Sequence, residues 1–130
     1  MLDLDHFKRV NDTHGHASGD LVLRTVADRV REKIRRSDVL VRYGGEEFVL
    51  LLPATPRAAA QSLAERIRLA VCGTPFPIGG GAQVTQTVSI GVALWDGRET
   101  AEALVHRADL AMYGAKRGGR NRVAGDDGTA

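Results

Sequence analysis

The chain has a single cysteine, Cys72, so no internal disulfide can staple it, and it suits a reducing compartment such as the cytoplasm. Aromatic residues are only 5% of the total, too few for the stacking platforms that hold single-stranded nucleic acid. Neither sign of charge dominates. With 18 basic against 16 acidic residues the net charge is +2, too balanced for a dedicated nucleic-acid domain. The longest uninterrupted apolar run, Phe48 to Leu52, is far too short to span a bilayer. The N-terminus also lacks a basic region followed by a long apolar core and a cleavage site, so neither membrane contact nor a secretory leader is expected. What is present, 130 residues of 14.0 kDa with 43% hydrophobic content, suits one globular domain with a single core.

Apolar periodicity lays out the elements. Residues 1–5 read as a strand already under way at the first residue, from which a truncated domain is expected. Val22, Leu23, Val26, Ala27, Val30 and Ile34 recur at helical spacing over residues 21–34, with Ser18 or Asp20 as N-cap. Residues 39–43 and 48–52 flank Gly44-Gly45, which predicts a tight β-hairpin with φ > 0 at both glycines. Ala60, Leu63, Ala64, Ile67, Ala70 and Val71 trace a second amphipathic helix ending near Cys72. Residues 74–81 form a loop or small hairpin, 84–95 a strand, 100–116 a third helix and 121–124 a short last strand. The domain is expected over 1–124, with 125–130 a disordered tail. The order β, α, β, β, α, β, α, β contains the β-α-β-β-α-β run of the ferredoxin-like arrangement. The fold class expected is therefore α+β and palm-like: helices over one face of a mostly antiparallel sheet, with an additional C-terminal helix and short strand.

That scheme leaves some polar residues unexplained. Glu46 and Glu47, like charges on adjacent residues, open a strand that is otherwise apolar, and Asp3-Leu4-Asp5 closes the first strand. In ferredoxin-like topology the first strand lies at the sheet centre beside the hairpin, which brings Asp3 near Glu46 and Glu47. Two acidic clusters at neighbouring strand ends suit Mg²⁺, which takes carboxylate oxygens together with substrate phosphates. The turn into a helix at residues 7–11 can offer backbone N–H groups to phosphate, with Lys8 as an added point charge. Residues 11–20, NDTHGHASGD, are dense in turn formers. Their polar side chains either satisfy a loop or read a purine edge, Asn11 and Asp20 being the candidates.

Taken together, DLDHFKRVND, GH with GD following, RYGGEEF, SIGVA and AKRGGRN resemble the GGDEF family of diguanylate cyclases, which condense two GTP into cyclic di-GMP. The resemblance covers essentially the whole chain. It implies that Asp3, the Leu4 carbonyl, Glu46 and Glu47 hold two Mg²⁺ per GTP, with Mn²⁺ as an alternative. It implies that Asn11 and Asp20 bind guanine, that Phe7 and His16 lie close to the nucleotide, and that Lys8, Lys116 and Arg120 contact phosphates, with Glu46 and Lys8 as the catalytic pair. Each domain would hold one GTP, so a homodimer would assemble the reaction. Arg35-Arg36-Ser37-Asp38 resembles the family's R-x-x-D motif for product inhibition, with Arg35 and Asp38 as its ends and Arg66 contributing across a dimer; a charged helix end with Asp38 capping a turn is the other reading. The family carries a further N-terminal helix before the first strand, and an upstream sensor or receiver domain; neither precedes Met1 in this sequence. An uncovered apolar sheet face is expected in consequence. The alternative function is a non-catalytic receptor for cyclic di-GMP or GTP, against which the intact acidic positions argue; a structural domain ranks third.

Overall fold

The computed structural model describes residues 1–127. A five-stranded sheet has the order β2-β3-β1-β6-β7, formed by β1 (Leu2–Leu4), β2 (Val39–Arg42), β3 (Glu47–Leu51), β6 (Val88–Val92) and β7 (Val123–Gly125). β1 lies at the centre, antiparallel to both β3 and β6, as the ferredoxin-like reading requires, and β7 extends the edge parallel to β6. Residues 76–84 resolve the choice between loop and hairpin: β4 (Phe76–Gly79) and β5 (Ala82–Val84) form a separate two-stranded sheet.

Side chains alternate across the sheet. Leu2, Leu4, Phe48, Val88 and Ile90 point to one face, where they meet Val22, Val26 and Val30 of α2 (His16–Arg31) and Ile67 and Val71 of α3 (Arg57–Cys72). Each such fully buried side chain is worth about 1.5–3 kcal/mol in transfer free energy. The helices do not all share that face. Gly91, of opposite parity to Ile90, lies against α4 (Ala101–Arg117) so closely that a Cβ would stand 2.1 Å from the Ala108 carbonyl oxygen. α4 therefore covers the second face over β6 and β7. On the hairpin half of that face Val39, Val41 and Leu51 remain 47%, 44% and 47% exposed.

Some boundaries differ from the sequence reading, each for a physical reason. Residues 11–20 are not a loop: α1 (Phe7–His14) and α2 meet end to end at Gly15, whose φ of 90° lets the chain turn without leaving helical structure on either side. The N-cap of α2 is thus Gly15 rather than Ser18 or Asp20. Gly19 allows the two helices to pack, since a Cβ there would fall 1.9 Å from Asn11 Oδ1. Nor is the hairpin a two-residue turn with φ > 0 at its glycines. Arg42 pairs with Phe48, Tyr43 N–H donates to the Glu47 carbonyl at 2.8 Å, and Gly44, Gly45 and Glu46 form the loop. The Arg42 guanidinium closes it, Nη2 donating to the Gly45 carbonyl at 2.8 Å. The strand expected over 84–95 divides where Gln86 turns inward and donates to the Asp5 carbonyl at 2.8 Å. At the C-terminus, β7 runs to Gly125 and Asp126 is bound by Arg57 and Arg107, so 125–127 belong to the fold rather than to a disordered tail. Residues 128–130 of that expected tail lie outside the described residues.

Candidate functional site

The central position of β1 decides where the site forms. Asp3 is paired in register with Glu47 of β3, and the Leu4 N–H donates to the Glu46 carbonyl at 3.2 Å. The acidic clusters, distant in sequence, therefore meet. Asp3 is only 5% exposed, and its Oδ1 accepts a hydrogen bond from Lys116 Nζ of α4 at 2.7 Å. Burial pushes the Asp3 carboxyl up to about 6; the Lys116 ammonium opposes the shift, while Glu46 and Glu47 add to it. One ammonium thus stands against three carboxylates.

Among the described residues no group of three His, Cys, Asp or Glu side chains is assembled as a ready metal cage. The donor chemistry still fits a hard divalent cation. Mg²⁺ binds through one or two carboxylates and completes its shell with water and substrate phosphate rather than with protein. Burial, with a smaller contribution from Glu46 and Glu47, raises the Asp3 carboxyl in spite of Lys116, and a cation at this point would offset the cost of the buried charge.

Beside this acidic group lies a cleft of about 360 Å³, lined by Phe7, Lys8, Asn11, His16, Asp20, Leu23, Arg42, Gly45 and Glu46. It brings together six of the residues singled out from the sequence. α1 supplies Phe7, Lys8 and Asn11, and α2 supplies His16 and Asp20, the Gly15 junction turning both helices toward the hairpin loop. Phe7 is buried and anchors the cleft floor; His16 and Asp20 are exposed, and Lys8 pairs with Asp12, at 3.1 Å on the surface. Neither loop glycine is explained by internal packing. A Cβ on Gly45 would meet nothing within 4 Å and one on Gly44 only the Glu47 side chain, at 3.6 Å. Small residues that the fold itself does not need leave room for something to approach the backbone.

Arg120 does not line the cleft; it stands at the α4–β7 turn with φ 66° and its side chain exposed. Arg42, which does line it, escaped the sequence reading, where an arginine in an exposed strand carries no distinguishing pattern. A larger groove of about 680 Å³, lined by such residues as Val49, Leu51, Leu104 and Ala108, is apolar and lies over the uncovered half of the sheet, away from the acidic group.

The Arg35–Asp38 segment is arranged locally. The Arg35 N–H donates to Asp38 Oδ2 at 2.8 Å, the turn-capping arrangement, and the Arg35 guanidinium donates to Thr55 Oγ1 at 2.8 Å. Asp38 Oδ1 is nonetheless buried with no hydrogen-bond partner among the described residues. Arg66 is exposed on α3, and no bond ties it to Arg35 or Asp38.

The chain is similar in sequence and fold to known proteins. The family described as "Diguanylate cyclase, GGDEF domain" matches residues 1–122. "Diguanylate cyclase DgcP" of Pseudomonas aeruginosa is 47% identical over 123 residues, covering 95% of this chain and 18% of its own length. "Response regulator PleD" of Caulobacter vibrioides is 48% identical over 127 residues, covering 96% of this chain and 28% of its own. The chain therefore spans less than a third of these relatives. Among solved structures, the GGDEF domain of DgcB from Caulobacter crescentus, in complex with c-di-GMP, superposes with a TM-score of 0.92 at 38% identity, over 97% of this chain and 75% of that one.

Proposed function

The chain belongs to the GGDEF family of diguanylate cyclases, and from that premise we propose that it is the catalytic domain of a longer signalling protein, joining two GTP into cyclic di-GMP. The observation that carries the reading is the meeting of Asp3, Glu46 and Glu47 beside a cleft whose walls hold Asn11 and Asp20. A structural domain would gain nothing from that charge repulsion.

In this reading Asn11 and Asp20 bind the guanine edge, the Asp20 carboxylate accepting from its N–H groups, with Phe7 and His16 against the nucleotide. Gly44 and Gly45 admit the ligand close to the hairpin backbone, and Lys8, Lys116 and Arg120 hold the phosphates. Asp3, the Leu4 carbonyl, Glu46 and Glu47 are the ligands for two Mg²⁺, or Mn²⁺. Bound there, the cations lower the pKa of the attacking hydroxyl and offset the charge that develops on the phosphate oxygens. The 3′-oxygen of one GTP forms a bond to the α-phosphorus of the other, the bond from that phosphorus to the bridging oxygen breaks, and pyrophosphate leaves. The hydroxyl proton goes to the Glu46 carboxylate. A second, reciprocal transfer closes the ring and releases the second pyrophosphate.

Because each chain holds one GTP, two chains must face each other, and the rate depends on their association. Lys116 already reaches Asp3, so its ammonium can pass from carboxylate to phosphate as the nucleotide enters. The product feeds back through Arg35 and Asp38, with Arg66 from the partner; the unsatisfied Asp38 Oδ1 supports a polar ligand there. No helix among the described residues is long and apolar enough to cross a membrane, in keeping with a domain working in the cytoplasm.

Incubation with GTP and Mg²⁺, followed by chromatography, tests the reading. Pyrophosphate and cyclic di-GMP should appear with a specific rate that rises with protein concentration. Binding of either nucleotide without turnover would instead indicate a receptor.

A further inference from the structure

Two residues beyond Asp3 on the same strand end stands a buried carboxylate that the reaction just described does not use. Asp5 is 5% exposed and both of its carboxylate oxygens are hydrogen-bonded. Oδ1 accepts from Ser89 Oγ at 2.6 Å, and Oδ2 accepts from Thr87 Oγ1 at 2.7 Å and from the Asn121 backbone N–H at 3.0 Å. The last of these bonds ties the first strand to the turn that follows α4. In that turn Arg120 and Asn121 both hold left-handed backbone, with φ 66° and 47°. Non-glycine residues in that region are strained and persist only where their surroundings fix them.

The surroundings do fix them. Arg120 N–H donates to the Ala115 carbonyl at 3.0 Å, the Arg120 carbonyl accepts from Arg122 Nε at 3.1 Å, and Asn121 Oδ1 accepts from Arg68 Nη1 at 3.0 Å. Yet the Arg120 guanidinium itself is exposed and has no partner among the described residues. Arg120 is thus held at both its backbone N–H and its carbonyl while its cation has no partner among the described residues, which suits an arm built for an outside anion.

We propose that Asp5 is a positioning residue: by gripping the Asn121 N–H it locks the Arg120 turn to β1, and so fixes the span between Arg120 and Asp3 into which a triphosphate fits. This rests on the reading of Arg120 as a phosphate contact. The role needs an acceptor, not a charge. In Asp5→Asn the amide oxygen can still accept from Asn121 while the NH₂ donates to Ser89 Oγ, since a hydroxyl serves either way. In Asp5→Ala nothing accepts.

The test is calorimetric binding of a non-hydrolysable GTP analogue with Mg²⁺, and of GMP, to the full chain. Asp5→Ala should raise Kd for the triphosphate about tenfold and leave GMP unchanged, while Asp5→Asn stays within about threefold of wild type. On an Arg120→Ala background, itself weakened about tenfold, Asp5→Ala should add nothing, because the two act through one contact. Equal losses for both nucleotides, full additivity, or an Asp5→Asn as damaging as Asp5→Ala would overturn the proposal. Wild-type affinity in Arg120→Ala would count against the phosphate reading, and the proposal would fall with it; loss there without loss in Asp5→Ala overturns the positioning alone. If Asp5→Ala does not fold, the isosteric Thr87→Val, which strips one of the donors that aim Oδ2, should raise the triphosphate Kd about threefold, and no change would be decisive against it.

Discussion

Asp3 and Asp5 lie two residues apart on one strand end, equally buried at 5% exposure, and they are treated in opposite ways by their surroundings. Asp5 receives two hydroxyls and a backbone N–H, all from its own chain. Asp3 receives one lysine and faces two further carboxylates, and its carboxyl is driven up to about 6. A buried polar group with all its partners supplied internally serves the fold. One left short of partners, among like charges, serves something that arrives from outside. Burial alone does not tell the two apart; the count of donors does.

The largest expected separation between them is in turnover. Asp3→Asn should lower cyclic di-GMP synthesis by about a hundredfold or more, whereas Asp5→Asn should stay within several-fold; both are read as pyrophosphate release at saturating Mg²⁺. Stability should divide them the other way. Asp5→Ala leaves Ser89 and the Asn121 N–H without their acceptor and should cost on the order of 2–3 kcal/mol in denaturant unfolding, while Asp3→Asn, which relieves repulsion, should cost little or nothing.

The pH dependence sharpens the contrast. Folded Asp3 binds its proton more tightly than the unfolded chain does, 3.8 being the ordinary value and about 6 the folded one. Between those values the native state holds the extra proton, so this group's contribution is most favourable below about pH 4 and is lost as pH rises through about 6. The total is on the order of 3 kcal/mol. Without divalent cations, subtracting the stability profile of Asp3→Asn from that of wild type should expose this slope. A flat difference would mean that Asp3 is not destabilised by its setting. A smaller effect is expected at the R-x-x-D segment. Arg35→Ala should raise the inhibition constant for cyclic di-GMP about tenfold, as loss of one charged contact would, and unchanged inhibition would remove that site.

Much of this arrangement could be read before the fold was seen. Two apolar, β-favouring runs at residues 39–43 and 48–52 on either side of Gly44-Gly45 predict the hairpin, and the β-α-β-β-α-β order places the first strand beside it, from which the meeting of Asp3 with Glu46 and Glu47 follows. What escaped notice depends on contacts between distant residues. The 11–20 stretch reads as a loop because Asn, Asp, Thr and Ser favour turns; only the packing of Gly19 on Asn11 and Phe7 shows why helices prevail there. The hairpin loop follows from Arg42 reaching back to the Gly44 and Gly45 carbonyls, which no local rule anticipates. The different fates of Asp3 and Asp5 were also hidden, since they hinge on Lys116, Ser89, Thr87 and Asn121, all far along the chain.

The claim on which the rest depends is that Asp3 is kept short of donors in order to hold a cation on GTP. Titration of Mn²⁺ into the chain with a non-hydrolysable GTP analogue, followed by the paramagnetic resonance of the free ion, measures this without turnover. Wild type should take up about two ions per nucleotide and Asp3→Asn at least one fewer, with Asp5→Asn matching wild type. Equal uptake by wild type and Asp3→Asn would contradict the account.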